Sequence, residues 1–216
     1  MKARTAAAVL AVGAFLVACG KDSSGPSGKT SASVNDATGD TFGTGSPQWD
    51  ITAFGVSRDS GGIDVSIDFT ANPVSASGGS ASATVGYVEF DTDQDSTTGT
   101  GSVTDAFGGT TGMGVDYWVD LFTYSGSSVT VYDAGGNPMG LITPTFSGKR
   151  LSFRIPRSLL GGDDAFLNAA AIIGTSAEPT DIVPNTGHLK VGGTGPVAPY
   201  RPNVVRLAAP KVWGRP

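Results

Sequence analysis

Strict alternation of apolar and polar residues constrains this chain more than any other feature. From Ile63 to Thr70 the sequence reads IDVSIDFT, so every second side chain is apolar. A period of two matches a β-strand with one buried face and does not match the 3.6-residue period of a helix. Shorter runs with strand composition lie at Trp49–Ser57, Val85–Phe90, Tyr117–Tyr124, Val129–Tyr132 and Arg150–Ile155. The pattern predicts many short strands joined by turns.

The composition supports an all-β fold. Glycine accounts for 32 of the 216 residues, whereas Lys and Glu, which fill exposed helices, are scarce. Residues 165–173 (AFLNAAAII) fit either a helix or a strand that is buried on both faces, and the surrounding strand pattern favours the strand. No repeat with a period of about 20–50 residues is present, so the sequence does not indicate a solenoid or a propeller.

The N-terminus resembles a bacterial lipoprotein signal. Two basic residues precede an apolar run from Ala6 to Ala18, and the run ends at Cys19, the only cysteine. The run is shorter than the roughly 20 residues that span a bilayer. The resemblance implies cleavage before Cys19, lipidation of its sulfur, and a chain anchored outside the cytoplasm in the cell envelope, at the outer membrane if the organism has one. The alternative is a secretory signal with an incidental cysteine.

These features divide the chain into four parts. They are a signal peptide (1–18), a lipidated cysteine with a flexible linker (19–33), a folded domain (34–189), and a Pro-rich basic tail (190–216) that is partly disordered or forms an edge strand. Residues 30–189 contain 16 Asp and 2 Glu against five basic residues, whereas the tail has five basic residues and no acidic one. Because so acidic a body repels phosphate groups, we expect no nucleic-acid partner.

An Asp-rich segment carries the strongest indication of a chemical site. Asp91, Asp93 and Asp95 follow a predicted strand at alternate positions, and Asp116 lies further along in GVDY. Carboxylates spaced in this way can fold around Ca²⁺, which takes about six to eight oxygen ligands. The segment is not an EF-hand, because neither flank is helical and serine occupies the glycine and glutamate positions of that loop. The alternative is a solvated turn whose Asp residues cap their own backbone.

A second acidic group consists of Asp36 and Asp40, with Asp50 as a further candidate member. The pattern Asp-x-x-Gly-Asp is common in ordinary turns. For this group, a calcium site and a simple turn are therefore equally good interpretations.

Groups that could carry out catalysis are sparse. His188 is the only histidine, and neither glutamate lies in a recognisable catalytic frame. We therefore predict that the protein is not an enzyme. Trp118, flanked by Asp116 and Asp120, is a weak candidate for stacking on a sugar ring, and packing in the core is the alternative interpretation.

Several short motifs occur in a recognisable order. They are DATGD (36–40), WDIT (49–52), FDTDQ (90–94), GVDY (114–117), IPRSLLG (155–161) and TDIVPN (180–185). Their order resembles that of the extracellular domains related to DOMON and family-9 carbohydrate-binding modules, over about residues 34–189. The resemblance implies an antiparallel jelly-roll-like β-sandwich with calcium in loops at the strand ends. It also implies a carbohydrate ligand or, in some members, haem held by Met and His.

The combined prediction is a membrane-anchored, calcium-stabilised binding domain whose leading ligand class is carbohydrate. Two alternatives stand beside it. One is a structural or adhesion module that contacts another envelope protein. The other is a haem-binding electron-transfer domain, for which Met113, Met139 and His188 are the available ligands.

Overall fold

A computed structural model of the chain describes residues 29–161, 166–192 and 213. The predicted signal peptide, Cys19 and the linker up to residue 28 lie outside the described residues, as does the tail beyond Gly192 except for Trp213. No helix in the described ranges is long and apolar enough to cross a membrane.

Short strands make up most of the described chain, together with one α-helix, α1 (Val103–Ala106), and two 3-10 turns at Ala76–Gly78 and Arg157–Leu159. The strands are β1 (Thr30–Asn35), β2 (Ile51–Asp59), β3 (Gly62–Phe69), β4 (Val85–Asp91), β5 (Thr100–Gly101), β6 (Gly114–Val115), β7 (Tyr117–Ser125), β8 (Ser128–Asp133), β9 (Pro138–Ile142), β10 (Thr145–Ser147), β11 (Arg150–Pro156), β12 (Leu167–Gly174), β13 (Pro179–Val183) and β14 (Leu189–Val191).

Two antiparallel sheets pack against each other. Sheet A has the strand order β1-β2-β3-β11-β10, and sheet B has the order β13-β12-β4-β7-β8-β9, with β14 also paired to β12. Strands β5 and β6 form a separate two-stranded ribbon. This arrangement confirms the predicted all-β sandwich.

The main core lies between the two sheets because alternate residues of each strand face inward. In β3, Ile63, Val65, Ile67 and Phe69 are each at most 3% exposed. They belong to one apolar cluster with inward residues of sheet B, such as Val119. The alternation seen in the sequence is therefore the division between the core and the solvent face of sheet A.

The structure settles the ambiguity of residues 165–173. Residues 167–174 form strand β12, which is buried along its whole length between β4 on one side and β13 and β14 on the other. The IPRSLLG motif contains the 3-10 turn at Arg157–Leu159.

The boundaries of the folded domain differ from the prediction at both ends. Strand β1 begins at Thr30, inside the predicted linker, because Ala32 and Val34 pack on the core while their neighbours face outward. Strand β14 crosses the predicted boundary at residue 189, because Val191 is fully buried in the same core.

Sheet B is covered on its outer face as well. Residues 92–116 run across this face and contribute Val103, Met113 and Val115 to a second apolar cluster. The buried carboxylate of Glu89 fixes this segment to β4. It accepts hydrogen bonds from Ser102 Oγ (2.7 Å), from the backbone N–H of Val103 (2.6 Å), and from Thr104 Oγ1 (2.7 Å) and N–H (3.2 Å). These contacts hold the middle of the segment on β4, a central strand of sheet B.

Candidate metal centres

Three carboxylates meet where β4 ends and β7 begins. Asp91 is the last residue of β4, Asp93 lies in the loop after it, and Asp116 lies between β6 and β7. One carboxylate oxygen from each residue lies within 4.8 Å of the other two. The backbone fixes this approach, because the N–H of Asp116 donates to the carbonyl of Phe90 at 2.9 Å. We call this group the first carboxylate cluster.

The loop that carries Asp93 is folded tightly on itself. Asp93 Oδ1 accepts the N–H of Asp95 at 2.9 Å, and Gln94 adopts a left-handed φ of 56°. Gly99 leads the chain into β5 with a φ of 67°, and a Cβ there would lie 2.5 Å from the carbonyl oxygen of Val115 in β6. Glycine is therefore required where the loop closes against the strand that leads to Asp116.

Two buried oxygens at the first cluster have no hydrogen-bond partner in the part of the chain that the structure describes. Asp91 is 1% exposed, and its Oδ2 accepts a hydrogen bond from Asn168 Nδ2 at 3.0 Å. Asp91 Oδ1 and Asn168 Oδ1 are both buried, and neither has a partner among the described residues. An unsatisfied buried oxygen is costly, and for a carboxylate the cost is greater still. A cation bound by the three carboxylates would offset the buried charge of Asp91.

Two carboxyl groups of the first cluster, Asp91 and Asp116, have raised pKa values. Burial raises the pKa of Asp91 to about 7, and the neighbouring charges of Asp116 and Asp93 add to this effect. Burial also raises the pKa of Asp116 to about 6, with a further contribution from the charge of Asp93. Three carboxylates held this closely favour either a proton or a metal ion.

The fourth predicted ligand, Asp95, is not part of this cluster. Its Oδ1 accepts hydrogen bonds from the Thr97 N–H at 2.9 Å and from Thr97 Oγ1 at 2.6 Å. These bonds lower the pKa of Asp95. Asp95 therefore stabilises the loop, and its side chain is directed to its own backbone.

A second carboxylate cluster lies where the 36–40 turn meets β13. Asp36, Asp40 and Asp181 each place one carboxylate oxygen within 4.8 Å of the others. Asn185 Nδ2 donates to Asp36 Oδ1 at 3.0 Å and to Asp40 Oδ2 at 2.6 Å. The predicted pair, Asp36 and Asp40, thus lies together with Asp181 and Asn185 from the C-terminal part of the domain.

Asp50 borders the second cluster. Its Oδ2 accepts the N–H of Gly39 at 3.0 Å. Asp50 Oδ1 and Asp36 Oδ2 are buried and have no hydrogen-bond partner within the described ranges. Burial raises the pKa of Asp36 to about 6, and the charges of Asp40 and Asp50 act in the same direction. Burial likewise raises the pKa of Asp181 to about 7, with contributions from Asp36 and Asp40.

Trp118 lies inside the second apolar cluster. It is 7% exposed, and its ring stacks on Tyr132 with the centroids 5.6 Å apart. In this structure Trp118 offers no open ring face to a sugar. Of the residues considered for haem, Met113 is buried in the same apolar cluster, and His188 Nδ1 lies 2.6 Å from the carbonyl oxygen of Thr111.

The outer face of sheet A carries a shallow polar cleft of about 510 Å³. Small side chains from four neighbouring strands line it, with Gly55 and Ser66 at its centre and Asp64 and Arg150 among its charged groups. Arg150 is held by a bidentate ion pair with Asp68, at 2.6 Å for each of its two hydrogen bonds. The cleft therefore presents fixed donors and acceptors on a rigid sheet.

Sequence reasoning missed several residues of these sites, namely Asn168, Asp181 and Asn185. Asn168 had a signal, because it is the only polar residue in an otherwise apolar strand. Asp181 and Asn185 were visible only as parts of the TDIVPN motif.

No protein-family model matches the chain, and no curated protein matches it significantly. The resemblance to DOMON and family-9 carbohydrate-binding domains therefore stays a prediction.

Proposed function

We propose that this chain is a calcium-stabilised binding domain, anchored at the cell envelope through Cys19, with carbohydrate as its ligand. The observation that carries the proposal is the buried carboxylate of Asp91. Within the described part of the chain, one of its oxygens has no hydrogen-bond partner, and it lies beside two further carboxylates and contacts Asn168, whose Oδ1 also lacks a partner there. Hard oxygen donors of this kind suit Ca²⁺, which tolerates irregular geometry.

At the first cluster, Asp91, Asp93 and Asp116 would supply charged ligands, and Asn168 Oδ1 a neutral one. The ion would offset the repulsion that now raises the pKa values of Asp91 and Asp116. It would also join the end of β4 to the start of β7, because its ligands come from both. Calcium would therefore act as a structural cross-link on the covered side of sheet B.

The second cluster offers the same chemistry. Asp36, Asp40 and Asp181 would hold a second ion, and it would tie the N-terminal turn to β13. Asp40 is exposed, and among the described residues its carboxylate accepts a hydrogen bond from Asn185 alone. Asp40→Asn should therefore remove this ion with little direct effect on the fold.

Thermal unfolding with and without calcium tests the metal proposal. After chelation and removal of the chelator, a hundredfold excess of Ca²⁺ over its Kd should stabilise the protein by about 2.7 kcal/mol per site. Mg²⁺ at the same concentration should do less, because it demands a compact octahedral shell. Identical melting curves with calcium and with chelator would favour the ordinary acidic turn.

The polar cleft on sheet A supports carbohydrate as the ligand. Sugar hydroxyls bind through directed hydrogen bonds to side chains that are already fixed, and the cleft provides serine hydroxyls, Asp64 and the immobilised Arg150. Its flat floor, with Gly55 beside Ser66, leaves room for a pyranose ring. The cleft thus replaces Trp118 as the place where we expect sugar contact.

A blocking variant tests the cleft. Ser66→Tyr would fill its centre on a strand that tolerates aromatic residues, whereas Ser147→Tyr adds the same ring on β10, outside the residues that line the cleft. On a glycan array, Ser66→Tyr should lose binding that the wild type and Ser147→Tyr retain. If the wild type binds no glycan but captures an envelope protein, the adhesion alternative is correct.

A further inference from the structure

The polar cleft on sheet A is longer across the strands than along them. Its lining residues come from four adjacent strands, β1, β2, β3 and β11, and on each strand they span three positions, about 7 Å at about 3.4 Å per residue. One outward-facing residue of each strand forms a row across the sheet: Ser33, Gly55, Ser66 and Ser152. At about 4.8 Å between neighbouring strands, the row is about 14 Å long. The long axis of the cleft is therefore perpendicular to the strands.

Two walls of paired charges flank this row where it crosses β3 and β11. On one side lies the ion pair of Arg150 with Asp68. On the other side, Arg154 Nη1 donates to Asp64 Oδ2 at 2.7 Å, and Arg154 Nη2 donates to Asp59 Oδ1 at 2.5 Å. The row passes between the two walls, because its members on β3 and β11 lie two residues from each arginine and from Asp64 and Asp68. Both walls run parallel to the row, since each joins β3 to β11.

Among the described residues, the other end of the cleft has no such walls. Strand β1 is the edge strand of sheet A in this part of the chain. The residues beside the row on β1 and β2 have short side chains: Ser31, Asn35, Ala53 and Ser57. These side chains do not reach as far above the sheet as the two arginines. A ligand held between the walls can therefore extend over β2 and β1.

The chemistry of the cleft favours a neutral ligand with several sugar units. None of the described residues that line the cleft is aromatic, so it offers hydrogen bonds and no ring on which a sugar could stack. Because each hydrogen bond replaces one to water, its net contribution to affinity is small, and a ligand needs many of them. The walls combine two arginines with three aspartates, which leaves one negative charge. An anionic sugar would therefore be repelled.

We propose that the ligand is an unbranched, neutral oligosaccharide that lies across the strands of sheet A, with one part of it between the two walls. This inference rests on the proposed carbohydrate function, to which it adds the shape, the charge and the direction of the ligand. An unbranched chain can follow the row from Ser152 to Ser33. A side branch on the sugar units between the walls would collide with one of the two arginines and its aspartate.

Isothermal titration calorimetry of the full chain in detergent tests the shape and the charge of the ligand. The probes are the unbranched neutral oligomers of cellulose, xylan, mannan and laminarin, from disaccharide to hexasaccharide. In a series that binds, the association constant should rise by about tenfold or more with length and then become constant once the cleft is filled. A branched oligomer of the same sugar, and an oligogalacturonate of the same length, should each bind at least about tenfold more weakly.

A variant at the β1 end of the row tests the direction of the ligand. Ser33→Tyr places a ring on the edge strand, where only the longer oligomers should reach. It should lower the association constant of the hexasaccharide by about tenfold and leave that of the disaccharide unchanged, because the shortest oligomers bind between the walls. The unchanged disaccharide also shows that the variant is folded. Ser147→Tyr, which lies outside the lining residues, should leave the affinity for every length unchanged.

Three results would overturn this inference and leave the carbohydrate function in place. They are an association constant that does not depend on length, binding of branched or uronic-acid oligomers that is as tight as that of neutral unbranched ones, and an equal loss of short and long oligomers in Ser33→Tyr. Absence of binding to any glycan by the wild type would instead overturn the proposed carbohydrate function, and this inference with it.

Discussion

Replacing Asp91 with asparagine should have opposite effects on stability with and without calcium. In the calcium-free protein at pH 8, the ionised carboxylate of Asp91 is buried, and its Oδ1 has no hydrogen-bond partner among the residues that the structure describes. Asparagine removes the charge and keeps an oxygen for Asn168. Asp91→Asn should therefore stabilise the calcium-free protein, and it should abolish the stabilisation by calcium at the first cluster.

The raised pKa of Asp91 gives the size of the stabilisation that Asp91→Asn should bring to the calcium-free protein. A shift from 3.8 to about 7 corresponds to about 4 kcal/mol of unfavourable ionisation. Relaxation of the loop around asparagine reduces the gain, so we expect about 2 kcal/mol, or a rise in Tm of about 4–8 °C for a domain of this size. Because this is an acid with a raised pKa in the folded state, the advantage of the variant should shrink as the pH falls from 7 towards 4.

Differential scanning calorimetry at pH 8, with chelator and with calcium, measures both effects. Asp95→Asn is the matched control, since it makes the same change of charge four residues away. The Asp95 side chain bonds to Thr97 in its own loop and lies outside the cluster. This control should leave the calcium shift intact. The reasoning fails if Asp91→Asn keeps the full calcium shift, or if it lowers the Tm of the calcium-free protein.

Three other substitutions test separate parts of the account. Burial raises the pKa of Asp120 to about 6, so Asp120→Asn should be more stable than the wild type by about 1–3 kcal/mol at pH 8. At pH 4, Asp120→Asn and the wild type should have nearly equal free energies of unfolding in urea, because the wild type gains stability on protonation of Asp120 only below its raised pKa. A difference in free energy of unfolding that does not change with pH would refute this. Trp118→Ala should lower the free energy of unfolding by about 3–5 kcal/mol, because it removes a buried ring stacked on Tyr132. An unfolding midpoint equal to that of the wild type would show that the ring is not part of the packing. Cys19→Ala should abolish labelling by a fatty-acid analogue and release the protein from the detergent phase, since each buried methylene of an acyl chain contributes about 0.8 kcal/mol; labelling that persists would disprove the proposed anchor.

The alternating strands were predictable because one face of each is core and the other is solvent. Strand β3 shows this most clearly, and its polar residues pair across to β11, as in the contact of Arg150 with Asp68. Strand β13 lacked such a signal, since all five of its residues are buried. A strand that is buried on both faces loses the period of two that identifies it.

The candidate sites were partly predictable for a similar reason. Asp91 and Asp93 are close in sequence, so their proximity follows from a tight loop. Asn168 meets Asp91 only because β12 pairs with β4 in a register that places the two residues opposite each other. Sequence patterns do not specify such a register between distant strands. The position of Trp213 was unpredictable in the same way, because its ring contacts Tyr87, Phe107 and Phe122, which lie in separate segments of the chain.

Calorimetric titration of the chelator-treated protein with CaCl₂ tests the central claim most directly. The account predicts two calcium ions bound per wild-type chain and one per Asp91→Asn chain, with the remaining ion lost in the Asp91→Asn, Asp40→Asn double variant. Absence of calcium binding by the wild type, or an unchanged stoichiometry in Asp91→Asn, would contradict it.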